Sequence, residues 1–489
     1  MAVEDLREWI NLLAEKAELK KIQAEVDWNE EIGAITREVS SQNGPALLFE
    51  KIKDHQQTLC RRLFTNGTGS LAKVCRLVGL PEGTASRDLV INFKELLRKQ
   101  VEPRRVDRGP VKDNIVTGTS VDLFQFPVPK WNPLDGGRYI MTSASVVTMD
   151  PDTHVLNVGT YRGMISTKNT VSVLLATTQG WGKHFVKYKN RGAEMPVAVV
   201  IGWDPTLFIV ASTPVNYPEY EVTGSLRGEP VALVKCETNN LWVPATAEIV
   251  LEGRISPDPK SFELEGPFSE YPGYYGGKRV PKHTIFVDCI TYRDDPIFTG
   301  CLTGSSPGRT NEGTTWTPIT FSAVAWNYLE QAGVPNVLGV WRGKWPEVMR
   351  VQIRKSNRSH AQQVANALWG SHMGNYAAKH LIVVDEDIDI FDGEAIEWAL
   401  AYRVNAGMGD ICFFPGTSGS MLDPSVPLNE RDSVKYGHGK WTRVLIDATI
   451  NWELDPQEQY GGERYPPLGT AISKQMQETI RRRWKEYGF

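Results

Sequence analysis

Leu233-Val234-Lys235-Cys236-Glu237-Thr238-Asn239-Asn240-Leu241-Trp242-Val243-Pro244-Ala245-Thr246-Ala247-Glu248-Ile249-Val250-Leu251-Glu252-Gly253 carries two short β-like runs, 231–236 and 248–252, with turn residues between them. The same texture fills residues 115 to about 302, with further runs at 143–149, 171–176, 197–201 and 283–291. Helical periods are scarce there, so a β-barrel or sandwich is expected for the middle of the chain.

The flanks read differently. Residues 5–17 predict an opening helix with Leu6, Ile10, Leu13 and Ala17 on one face. A second helix is expected at 29–40, a buried apolar strand at 45–50, and further helices at 71–80 and 88–100. Together they form an α/β unit, followed by a Pro-, Arg- and Asp-rich linker at 103–113. From about 318, helices at 322–331, 359–369 and 394–402 alternate with strands at 349–353, 378–384 and 444–446, which predicts an α/β layer. A Pro-containing hinge at 464–468 precedes a closing helix, 471–487. Its Ile472, Met476, Ile480 and Trp484 make one apolar stripe, to be covered by its own domain or by another subunit.

The expectation is a multidomain α+β protein: an N-terminal α/β domain (1–114), a central β domain (115–316), a C-terminal α/β domain (317–467) and an oligomerisation helix (468–489). A chain of 489 residues exceeds one hydrophobic core, and about two to four domains are expected. The apolar share of 41% and charged share of 23% are those of a soluble globular protein. A net charge of −4 argues against phosphate-driven nucleic-acid binding, and Arg481-Arg482-Arg483 reads as a solvated helix face. Cys60, Cys75, Cys236, Cys289, Cys301 and Cys412 show no C-x-x-C spacing, so reduced thiols in a cytoplasmic protein are expected. Neither a signal peptide nor a membrane span is expected.

Chemistry is suggested by five scattered residues: Asn157, Arg162, Glu219, Glu265 and Glu270. An Asn oxygen beside a carboxylate suits a hard divalent cation, which makes Asn157 and Glu219 the metal candidates. Taken singly, Asn157 before Val-Gly reads as a turn residue and Glu219 as a solvated acid ahead of a strand. Arg162 lies at an odd offset from Asn157, so the two share a site only if the chain bends near Gly159. Glu265-Gly266-Pro267-Phe268-Ser269-Glu270 sets two carboxylates about a turn, where one stays ionised against an arginine and the other moves a proton. The aromatic, Gly-rich stretch after it, 271–277, suits a mobile loop over an aromatic ligand. With no G-x-G-x-x-G, P-loop, G-x-S-x-G or H-E-x-x-H motif, hydrolase triads and Rossmann redox chemistry lack support.

These segments resemble the UbiD family of prenylated-flavin-dependent decarboxylases over nearly the whole chain, most tellingly from Glu219 to Glu270. Thr303-Gly304-Ser305-Ser306-Pro307 and Val384-Asp385-Glu386-Asp387-Ile388-Asp389 add to the match. The resemblance implies a central split β-barrel holding prenylated FMN, with Mn²⁺ or Mg²⁺ bridging its phosphate to Asn157 and Glu219, and K⁺ as a further cation. It implies a catalytic network of Arg162, Glu265 and Glu270, with Glu270 as proton donor. Gly159, Thr160, Tyr161, Arg162, Gln179, Gly180, Ser212 and Arg443 are the other implied cofactor contacts. Two departures stand out. Gly180 takes the place of the family's metal-binding His, leaving His184, Gln179 or a water as third ligand, with water beside Gln179 preferred. Arg443, with Lys440 nearby, replaces a phosphate-binding Lys.

The implied activity is reversible, non-oxidative decarboxylation of an aromatic, heteroaromatic or α,β-unsaturated acid, the cofactor acting as electron sink. A flavin prenyltransferase would supply the cofactor, and a homodimer or homohexamer is expected. Tyr271, Tyr274, Tyr275 and Trp316 are candidate aromatic surfaces near the substrate ring. The rival readings are an FMN-dependent oxidoreductase on a similar barrel, a carboxylase subunit working in the CO₂-fixing direction, and a non-catalytic subunit.

Overall fold

The protein is described by a computed structural model covering residues 3–375, 378–436 and 439–489. Its centre is an eight-stranded antiparallel sheet. Seven strands follow one path: Leu156–Gly159, Ser145–Met149, Met195–Ile201, Ile249–Ile255, Thr284–Tyr292, Thr170–Val173 and Gly163–Thr167. Asn114–Thr117 adds to Thr284–Tyr292 beside that path. Alternation fixes which way each residue faces. Val197, Val199 and Ile201 enter one core with Ile249 and Leu251, while Ala198 and Val200 enter another with Val147 and Val250.

The strands at the two ends of the path, Leu156–Gly159 and Gly163–Thr167, are neighbours in sequence. Only residues 160–162 separate them, so Gly159 and Gly163 lie within roughly 14 Å. The sheet is therefore curled, bringing its outer edges together. No hydrogen-bonded ladder joins those edges among the described residues.

Helices are more frequent in this central part than its sequence predicts: Gly180–Asn190, Pro205–Ala211 and Glu219–Arg227. Asp204 caps the second of these through Thr206 N at 2.7 Å, with Pro205 in the first turn. Glu219 consequently opens a helix and does not precede a strand.

The remaining sheets tie the units together. Leu19–Ile22, Ala46–Phe49 and Arg62–Thr65 form the N-terminal sheet, completed by Ile297–Thr299 from far along the chain. The expected linker is partly structured: Arg104–Arg105 pairs with Ala232–Lys235, and Val111 and Lys112 are buried. The C-terminal mixed sheet orders Val337–Trp341, Val348–Ile353, His380–Asp385, Gly439–Ala448 and Ile411–Gly419. Helix Gly313–Gln331 runs through the expected 316/317 boundary. One core combines Trp9, Leu89 and Phe93 from the N-terminal unit with Ile319, Leu329 and Leu381 from the C-terminal one.

The closing helix, Lys474–Arg483, buries none of its residues, and Ile472, Met476 and Trp484 are about half exposed. Its stripe has no cover within this chain among the described residues. The six cysteines are free thiols. No helix of the described residues is long and apolar enough to cross a membrane.

Candidate active site

Strand Leu156–Gly159 ends at Gly159, and residues 160–162 cross to the opposite sheet edge, resolving the odd offset between Asn157 and Arg162 without a bulge. Tyr161 folds back over Gly159 so closely that a Cβ there would lie 2.3 Å from its hydroxyl. Its ring stacks on Trp181 at 4.1 Å. Thr160 N–H donates to Ala211 O at 3.1 Å, and Ser212 Oγ donates to Thr160 Oγ1 at 3.0 Å.

Arg162 joins the two predicted carboxylates. Its Nη2 donates to Glu265 Oε2 at 2.9 Å, and its Nη1 donates to Glu270 Oε1. The side chain of Glu265 is wholly buried, and Tyr139 Oη donates to its other oxygen at 2.9 Å. Burial, reinforced by the Glu265 charge, raises the Tyr139 phenol and keeps it a donor. Glu270 lies on the wall of a cavity; Glu265 sits behind Arg162, off that wall. The order Glu270–Arg162–Glu265–Tyr139 therefore runs from solvent-accessible space into the core.

The loop bearing both carboxylates is buttressed by Asp135 and Gly136. Asp135 Oδ1 accepts from Ser269 N at 2.9 Å, and Gly136 N–H donates to Pro267 O at 2.8 Å. A Cβ at 136 would lie 2.1 Å from Gly266 O, so only glycine permits this approach.

Asn157 and Glu219 meet on another part of the same cavity wall. Glu219 Oε2 accepts from Val158 N at 3.1 Å, and Asn157 Nδ2 donates to Tyr161 Oη at 3.3 Å. Burial pushes the Glu219 carboxyl up to about 7, outweighing the backbone N–H groups that lower it. Gly180 leaves room for Asn157: a Cβ there would lie 1.7 Å from Asn157 Oδ1 unless that side chain moved. The asparagine oxygen fills the space that a side chain at 180 would need. His184 is buried with Nδ1 3.0 Å from Thr148 Oγ1 and does not line the cavity. Gln179 does line it, and its amide makes no capping bond to the helix that follows. No group of three His, Cys, Asp or Glu suited to a metal exists among the described residues. Two oxygens, with waters completing the shell, are what this wall offers a hard cation.

The cavity measures about 1170 Å³, at the upper end of ordinary ligand sites. Arg162, Lys183, Arg342, Lys344 and Lys379 supply positive charge to its lining, and the helix starting at Gly180 opens onto it. Both features suit a phosphate. Arg443 is not among these groups. It is 2% exposed, between Trp369 and Trp441 at 5.6 Å each, with Nη2 donating to Ser418 O at 2.8 Å. Lys440 is engaged by Glu430 at 2.5 Å. Of the four predicted aromatic residues, Trp316 and Tyr271 line the cavity; Tyr274 and Tyr275 do not. Tyr275 instead anchors the 271–277 segment, its Oη accepting from Leu134 N at 3.1 Å.

The sequence reading missed Tyr139, Lys183, Arg342 and Lys379. Lys379 had a visible signal, standing at the head of an apolar strand. Tyr139 had none, since it meets Glu265 only through the fold.

Comparison with known proteins places the whole chain. Three family models match in order: the 3-octaprenyl-4-hydroxybenzoate carboxy-lyase N-terminal domain at 10–91, its Rift-related domain at 104–306 and its C-terminal domain at 317–448. The pyrrole-2-carboxylic acid decarboxylase of Pseudomonas aeruginosa is 32% identical, over 99% of this chain and 98% of that protein. The closed form of Sedimentibacter hydroxybenzoicus vanillic acid decarboxylase superposes with a TM-score of 0.87 at 31% identity, covering 99% of this chain and 100% of that one. The UbiD-class enzyme HmfF of Pelotomaculum thermopropionicum, solved with FMN, gives 0.78 at 30% identity, covering 97% and 99%. An evolved dimeric form of HmfF has been solved with prFMN. With all three of its domains matched in sequence and its fold shared along nearly its full length, this chain belongs to the UbiD family of carboxy-lyases.

Proposed function

We propose that this carboxy-lyase releases CO₂ reversibly and without net oxidation from an aromatic, heteroaromatic or α,β-unsaturated acid, using prenylated FMN. The observation that carries this reading is one cavity bearing the Arg162–Glu270 pair and the Asn157–Glu219 pair on its wall, with Glu265 buried behind the arginine. The flavin complexes of HmfF support the cofactor. The curled sheet, its edges joined by residues 160–162, supports a split barrel as the cofactor's frame.

In this reading Asn157 Oδ1 and Glu219, with Gln179 nearby, would hold Mn²⁺ or Mg²⁺, which would supply positive charge for the cofactor phosphate. Thr160, Tyr161 and Ser212, on the same cavity wall, would help to hold the flavin. When bound, the flavin supplies the sink for the electron pair left as CO₂ departs. Glu270 delivers a proton to the carbon that lost the carboxylate. Arg162 holds Glu270 at the cavity wall and keeps one further donor, a buried Nε–H without a protein partner among the described residues. Glu265, fixed by Tyr139, holds Arg162 in turn. The exposed stripe of Lys474–Arg483 supports homo-oligomerisation through that helix.

Co-expression with a flavin prenyltransferase tests the reading. CO₂ release from a panel of unsaturated acids is expected only from protein made with the prenyltransferase. Equal activity without it, or reversible two-electron bleaching driven by a nicotinamide donor, would point to ordinary FMN chemistry instead.

A pH dependence follows from Glu219. Its folded carboxyl is raised to about 7, so in the metal-free protein it carries a proton below that pH. Cation binding must expel the proton. Mn²⁺ affinity, followed by calorimetry, is therefore expected to fall as pH drops from about 8 to 6, with up to one proton released per ion. A flat affinity over that range would remove Glu219 from the ligand set.

A further inference from the structure

Arg342 follows strand Val337–Trp341, and its backbone N–H is fixed by Ser322 Oγ at 2.9 Å. The side chain is 7% exposed, on the cavity wall, with its guanidinium 4.4 Å from the centre of the Phe321 ring. Its Nε and Nη1 are buried and have no hydrogen-bond partner among the described residues. Two other buried arginines are paired with carboxylates, Arg227 with Asp204 at 2.8 Å and Arg403 with Asp387 at 2.5 Å, and Arg443 donates to the Ser418 carbonyl at 2.8 Å. A buried guanidinium with unmet donors is costly unless something else supplies the acceptor. Burial lowers the Arg342 pKa to about 10, although nearby Glu347 and Tyr271 act to raise it.

The position of Arg342 narrows the choice of anion. The guanidinium lies close enough to Tyr271 and Glu347 for its charge to act on both. Tyr271 follows the proposed proton donor directly in sequence; its Oη donates to Glu347 Oε1 at 3.1 Å and lies 3.0 Å from Ser420 Oγ. Glu347 thus already has a hydrogen-bond donor in Tyr271. Arg342 therefore shares the cavity lining with Tyr271, beside the proposed proton donor.

Resting on the decarboxylase reading, we propose that Arg342 is a subsite for a second anionic oxygen group on the substrate ring, a carboxylate or an ionised phenol. The preferred substrate is then an unsaturated cyclic acid carrying two anionic groups, one lost as CO₂ and one retained on Arg342. A planar guanidinium suits a carboxylate through two parallel bonds and a phenolate through one.

The test uses cofactor-loaded enzyme and a matched series: one aromatic acid, its ring-carboxylated derivative and its ring-hydroxylated derivative. Wild-type KM is expected to be at least about 30-fold lower for one of the substituted acids than for the plain acid. Arg342→Met should erase that preference mainly through KM, with the plain acid losing far less, and Arg342→Lys should restore part of it. Whichever derivative shows the preference identifies the group. Equal KM across the series in wild type, or equal losses in the variant, would overturn the subsite. FMN titration provides a separate reading: a loss of about tenfold or more in FMN affinity in Arg342→Met would assign the guanidinium to the cofactor phosphate and overturn the proposal. Should wild type release CO₂ from none of the acids, the decarboxylase reading fails. Equilibrium binding of the same series to wild type and both variants then still decides whether Arg342 selects a second anion.

Discussion

Glu270→Gln is expected to lower CO₂ release by about 10²–10⁴-fold and to suppress hydrogen exchange at the product carbon in heavy water. The amide matches the carboxylate in size and keeps an oxygen to accept from Arg162 Nη1, so the cavity wall should keep its shape. It cannot cycle between proton donor and acceptor. FMN affinity should stay within about threefold, because Glu270 lies on the wall with Arg162 while Asn157 and Glu219 form the proposed phosphate end. Exchange at the wild-type rate would take Glu270 out of the proton path, whatever happened to the overall rate.

Removing the arginine acts on stability as well as rate. Arg162→Met leaves Glu265, wholly buried, with the Tyr139 hydroxyl as its hydrogen-bond donor and only the more distant Lys282 as counter-charge. Breaking a buried ion pair from one side costs about 3–5 kcal/mol, which equilibrium unfolding in urea would report as a lower midpoint. Adding Glu265→Gln removes the stranded charge, so the double variant should regain much of the loss. A cost below about 1 kcal/mol for the single variant, or simple additivity of the two changes, would mean that Glu265 does not depend on Arg162. Decarboxylation should be lost in both variants, since each releases Glu270 from its fixed position.

Much of the frame was legible because period and punctuation were strong. The opening helix kept its face, with Leu6, Ile10 and Leu13 buried, and the 45–50 strand is fully buried as Ala46–Phe49. The central helices were harder to see. Gly180–Asn190 contains two glycines in its first turn, and Pro205–Ala211 is a seven-residue apolar run that resembles a strand. The Asp204-Pro205 pair was nevertheless a usable helix-start signal.

At the site, Glu265 and Glu270 were readable as a pair because one short loop carries both. Their union with Arg162 and Tyr139 depends on sheet topology that no local pattern contains. Arg443 lies off the cavity for a traceable reason. It alternates with Trp441 and Leu445 along Gly439–Ala448, which places it on the inward face of its strand. Gly180 was read as a gap in the metal shell, and a Cβ there would fall against Asn157 Oδ1, itself one of the two proposed ligands.

The three residues that join the sheet's outer edges also set a mechanical constraint. Thr160 and Tyr161 sit on the proposed cofactor side and Arg162 in the acid–base network, all on one tether pinned by strands at both ends. Covalent geometry, more than packing, fixes the separation between the two, and thermal motion cannot move one far without the other. Tyr271 meets Glu347 and Ser420 across the cavity through hydroxyl hydrogen bonds alone. Each is worth about 0.5–1.5 kcal/mol net and is readily exchanged for water. The tethered wall is thus the anvil, and the Tyr271 contacts are the more yielding part of the lining.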